Sequence, residues 1–207
     1  MTLTRAFPAV AMMAGLLMGL LAGLFGGCSS SPTSSFYRLK PDATLAAMGA
    51  TNTSAPLYVV VSPVTIPELV DRPQIVVSLA DDQVKPSEFQ RWAEPLKSNI
   101  QRTIAADLGA LLGSEHVGVF DVDTSGPPTW RVRVDVMRFE SVQGEASTVD
   151  ALWTIWPPKN TKPIFGHTLA REPVQGQGYD ALVAAHDRAL ASVSRDIAVA
   201  IEANRSP

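Results

Sequence analysis

Cys28 is the only cysteine in the 207-residue chain, and it stands directly behind Gly26 and Gly27 at the end of an apolar run. A signal peptidase needs small side chains beside its cut. The thiol exposed by that cut would become a thioether to diacylglycerol, which also explains a secreted chain without a disulfide partner. The other residues with chemical potential lack the spacing to use it. His116, His167 and His186 show no metal-ligand pattern, and His186 falls on the apolar stripe of a helix, where a satisfied, partly buried imidazole is the ordinary role. Asp81 and Asp82 form a pair in a turn, the usual solvated surface. Gly176-Gln177-Gly178 opens a helix but lacks the third glycine of a phosphate loop, and Gly-x-Ser-x-Gly is absent. The chain is therefore expected to be no enzyme and to hold neither metal nor cofactor.

The N-terminus carries the strongest signal. Arg5 gives a positive start, and Ala9 to Phe25 follows without a charge, as a secretory signal requires. The stretch Leu24 to Cys28 resembles the bacterial lipobox, with Phe25 where leucine is usual. Residues 1–27 are then a signal peptide, and Cys28 with the polar residues up to Ser35 is a lipidated, flexible tether. Residues 36–207 form one domain. The tether after Cys28 spans roughly 20 to 25 Å when stretched, so the domain sits near its membrane. An uncleaved anchor is the alternative, since about 17 apolar residues can just span a bilayer, but it leaves Cys28 without a role. Ser29 rather than aspartate follows Cys28; by the sorting rule of enteric bacteria this is an outer-membrane address.

Cleavage would leave 180 residues, enough for one core without staples. Seventeen basic against twenty acidic side chains make the chain mildly acidic. That balance gives no footprint for nucleic acid and no basic cluster for anionic headgroups.

Leu57 to Val61 is a continuous β-branched and aromatic run, expected at the centre of a sheet. Pro63, Pro67 and Pro73 then interrupt the chain before a strand over 74–79. Pro95 suits the first position of a helix whose stripe is Leu96, Ile100, Ile104, Leu108 and Leu111, with Lys97, Arg102 and Asp107 off it and Gly113 as C-cap. Trp130, Val132, Val134 and Val136 alternate with polar residues until the phase slips at Arg138-Phe139, which predicts a β-bulge. Strands over 147–156 and 164–171 would complete an antiparallel meander. A long closing helix carries Leu182, Val183, His186, Leu190, Val193, Ile197 and Ile201 on one side, with Asp187 mostly elsewhere. The expected fold is α+β, a two-layer sandwich in which a mixed, mostly antiparallel sheet of about six strands carries two long amphipathic helices on one face.

Three segments together resemble a known family: Val59 to Pro67, Asp71-Arg72-Pro73-Gln74-Ile75-Val76, and Arg91-Trp92-Ala93-Glu94-Pro95-Leu96. The resemblance continues through Arg131 to Val136, Tyr179 to Val183 and Ser194 to Ala198. The family is the auxiliary lipoprotein of MCE-type lipid transport systems, named for paraquat-inducible protein C and also called the membrane integrity-associated transporter subunit. The resemblance implies a non-enzymatic subunit anchored in the outer membrane and facing the periplasm. Its partner would be an MCE-domain protein that forms a lipid conduit, on which copies assemble as a homo-oligomeric ring.

Asp71, Arg72, Arg91, Trp92 and Glu94 occupy two proline-fixed corners. They are candidate contacts with the partner or a second copy, since Trp and Arg often carry interface energy. The structural reading is equally open: Arg72 paired with Glu94 or Asp71, Trp92 capping the core. At the level of function, the alternative to docking is a lipid carrier with acyl chains held between helix and sheet.

Overall fold

The computed structural model describes residues 32–45, 56–80, 82–119, 126–158 and 162–205. The signal peptide, Cys28, the start of the tether, most of the 41–56 connection, Asp81 and residues 120–122 lie outside the described residues. The fold that follows is that of the unit Ser34–Pro207.

Its elements run β1 (Ser35–Tyr37), β2 (Tyr58–Val61), β3 (Gln74–Ala80), β4 (Gln83–Trp92), α1 (Leu96–Leu112), β5 (Val117–Gly118), β6 (Thr129–Val142), β7 (Ala146–Trp156), β8 (Ile164–Pro173) and α2 (Gly178–Ala203). The strands make one mixed eight-stranded sheet, ordered β1-β4-β3-β6-β2-β5, with β7 on the other side of β6 and β8 beyond it. The fold class is the α+β sandwich expected, with eight strands in place of about six.

β6 organises the sheet. One edge pairs with β7 along almost its whole length in antiparallel register, Val134 opposite Trp153 and Phe139 opposite Val149. The other edge takes two parallel neighbours in turn, β2 at Tyr58 to Val61 and β3 at Ser78. β2 lies inside the sheet as expected, between β6 and β5, with Val59 to Val61 buried, while β6 carries the longest pairings. The register shifts between Val136 and Arg138. Met137 is the extra residue, and it returns Phe139 to the buried face.

The core lies between that face and the two helices. Ile100, Ile104 and Leu108 of α1 and Leu182, Leu190 and Ile197 of α2 are all fully buried in one cluster with Val132, Val134, Val149 and Ile155. The opposite face shows Leu152, Phe165 and Leu169 to solvent.

Pro95 is the residue before α1, not its first helical position. Its backbone is extended, and its carbonyl accepts the Asn99 N–H at 3.1 Å. Gly113 closes the helix at φ 58°, a left-handed conformation that glycine takes without steric cost. A helix interior with Asp107 off the stripe is corrected as well: Asp107 is fully buried.

The reason is a strap. After β1 the chain from Leu39 to Asp42 is fastened to both helices through its backbone, whose N–H groups must find acceptors where water is displaced. Leu39 N–H donates to Asn99 Oδ1 at 2.7 Å, and Asn99 Nδ2 donates back to the Leu39 carbonyl at 3.2 Å. Lys40 N–H donates to Asp187 at 2.9 Å and Asp42 N–H to Asp107 at 3.0 Å. Burial raises the Asp107 carboxyl to about 7 and the Asp187 carboxyl to about 6.

Candidate docking corner

The two proline-fixed corners meet in space. Asp71-Arg72-Pro73 leads from the turn after Pro67 into β3, and Trp92 to Pro95 joins β4 to α1. The Trp92 N–H donates to the Pro73 carbonyl at 2.7 Å, and the Ala93 N–H to the Tyr37 carbonyl at 2.7 Å. These two bonds lock the corners against each other and against β1. Between them lies an open cavity of about 340 Å³, lined by Asp71, Arg72 and Pro73 from one side and Trp92 to Leu96 from the other.

Four of the five predicted contact residues therefore share one site: Asp71, Arg72, Trp92 and Glu94. Arg91 does not line it. Successive strand residues face opposite ways, so Arg91 leaves the side of β4 that Trp92 takes; its Nε is buried without a hydrogen-bond partner among the described residues.

The ion pairs differ from those expected. Asp71 binds Lys97 at 2.7 Å, and Glu94 binds Arg102. Both cations come from the polar side of the first two turns of α1. Arg72 pairs with neither carboxylate; it is exposed and makes no ion pair with a described residue. Its N–H is tied to the Val70 carbonyl at 2.8 Å, which sets the corner's direction. Trp92 is 5% exposed and meets Phe139 edge-on, ring centres 6.2 Å apart. Most of the indole belongs to the core, as the structural reading had it, and its rim forms the cavity floor.

The histidines take separate places. His186 is buried, stacks on Phe139 at 3.9 Å and meets the Ser141 hydroxyl through Nε2 at 2.8 Å. Burial lowers its pKa to about 3, which keeps the ring neutral. His167 sits on the surface against Asp150 at 2.7 Å, and His116 stacks on Tyr58. Among the described residues no group of three or more His, Cys, Asp or Glu could hold a metal ion, and no helix is long and apolar enough to cross a membrane.

A crystal structure of an uncharacterized protein superposes with a TM-score of 0.66 at 22% identity, over 82% of this chain and 99% of that one. A protein from Xanthomonas campestris superposes with a TM-score of 0.57 at 17% identity, over 79% of this chain and 92% of that one. At these identities the likeness concerns the fold alone. No curated protein matches the chain. The family described as the ABC-type transport auxiliary lipoprotein component matches residues 37–198, from β1 into the last turns of α2. The chain belongs to that family of transport auxiliary lipoproteins.

Proposed function

We propose that this lipoprotein is anchored through Cys28 in the outer membrane, faces the periplasm and docks an MCE-domain lipid conduit to that membrane. Its role is non-enzymatic, and several copies assemble around the conduit. Family membership supports the transport role and the membrane anchor. The MCE partner rests on the Asp71-to-Val76 and Arg91-to-Leu96 segments, whose residues meet in one preformed surface corner.

The observation that carries docking over a lipid carrier is the filled helix–sheet layer. A carrier needs an apolar cavity between helices and sheet. Here Ile100, Ile104, Leu108, Leu182, Leu190 and Ile197 interdigitate there with no exposed surface. Such packing leaves an acyl chain no place unless the core is rebuilt.

Membrane fractionation tests the reading. The wild-type protein should band with the outer membrane together with a share of the MCE-domain protein, and Cys28→Ala should release that share. Banding with the inner membrane would remove the outer-membrane assignment, and outer-membrane banding without any MCE-domain protein would remove the docking role.

A further inference from the structure

We propose that the docking corner accepts an acidic segment of the partner protein, with an Asp or Glu carboxylate bound to Arg72 and an adjoining apolar side chain over Pro73, Trp92 and Pro95. This inference rests on the docking reading and names the chemistry of its contact.

The charge arrangement at the corner carries it. Both carboxylates of the corner are already engaged by cations of α1, Asp71 by Lys97 and Glu94 by Arg102. Arg72 alone of the corner's charged residues faces solvent without an ion pair to a described residue. An arriving carboxylate would therefore compete with no neighbour for that guanidinium, whose planar fork can hold it through two parallel hydrogen bonds. An arriving cation would have to displace Lys97 or Arg102 and would meet Arg72 as a like charge.

The remaining surface selects the adjoining residue. Two prolines and the rim of a buried indole line the cavity, and the bonds from Trp92 to Pro73 and from Ala93 to Tyr37 fix their positions. A preformed apolar wall costs little ordering when a side chain is laid on it. At about 340 Å³ the cavity takes one or two side chains, not a folded element.

The test places a photo-crosslinking amino acid at Ala93, an exposed cavity position, in the full lipidated chain within native envelopes. Crosslinked residues on the MCE-domain protein should fall within a few positions of an Asp or Glu. In parallel, Arg72→Lys should retain the partner to within about threefold, whereas Arg72→Glu should lower its recovery roughly tenfold or more. Lys85→Glu, the same charge change at the other end of β4, should have no effect. Crosslinks in a basic or uncharged segment, crosslinks to a second copy of this chain, or wild-type recovery by Arg72→Glu would each overturn the proposal. Absence of any MCE-domain protein in the wild-type sample would instead overturn the docking reading beneath it.

Discussion

Ser194 of α2 donates its hydroxyl to Asp107 of α1 at 3.2 Å, joining the two helices beneath the strap that leads from the tether. The same carboxylate accepts the Asp42 N–H, so one buried acid holds three segments far apart in the chain. Burial is the largest influence on it and raises its pKa from 3.8 to about 7. The folded protein therefore holds this proton more tightly than the unfolded chain does, and the stability it brings is complete below about pH 4 and is lost as pH rises to 7. Asp187, raised to about 6, acts in the same direction. His186, lowered to about 3, acts oppositely, since its stability is lost as pH falls below 6.5. The difference between wild type and Asp107→Asn isolates the first contribution. The variant should gain on the wild type by up to about 1.4 kcal/mol per pH unit between pH 4 and 7, as read from urea unfolding at a series of pH values.

Asn99 closes a reciprocal pair of hydrogen bonds with Leu39. Asn99→Ala leaves a buried N–H and a buried carbonyl without partners, at a cost of about 2 to 4 kcal/mol. Hydrogen exchange should show the loss first at the Leu39 amide, with Lys40 and Asp42 following as the strap lifts from the helices.

Gly166 of β8 lies opposite Trp153 of β7, and the indole covers it while its N–H donates to Thr168 at 3.0 Å. A Cβ at this position would overlap the six-membered ring. Gly166→Ala should therefore destabilise the protein by about 1 to 3 kcal/mol through overpacking. Trp153 fluorescence should shift toward that of an exposed indole.

Trp92 belongs mainly to the core, so Trp92→Ala should cost about 3 to 5 kcal/mol in chemical unfolding. Partner recovery by the molecules that remain folded should fall far less than it does for Arg72→Glu. Equal losses of binding would make the indole itself an interface anchor.

Much of this arrangement was legible in the chain because periodicity reports burial directly. The α1 stripe, the cap at Gly113 and the bulge beside Arg138 stand where spacing puts them. β4 was not legible. Its register against β3 jumps from Arg91 opposite Gln74 to Pro86 opposite Val76, so Ser87 to Gln90 bulge out and no alternation survives. A proline in a mostly exposed stretch also reads as a break. Asp107 stands three residues after Ile104 and four before Leu111, on the edge of the stripe. Its charge argued for the outside, and its reasons for being inside, Asp42 and Ser194, lie 65 and 87 residues away. The corner showed the same limit: the two motifs meet at one cavity, whereas the pairing of Asp71 with Lys97 and the exposure of Arg72 depend on where α1 begins.

The central claim is that this lipoprotein docks an MCE-domain conduit, and affinity purification tests it most directly. The full-length lipidated protein would be recovered from mildly solubilised native envelopes, with its bound proteins and lipids identified by mass spectrometry. Docking predicts an MCE-domain protein in stable proportion to the lipoprotein. Recovery of bound phospholipid with no MCE-domain protein would contradict it and point to a carrier.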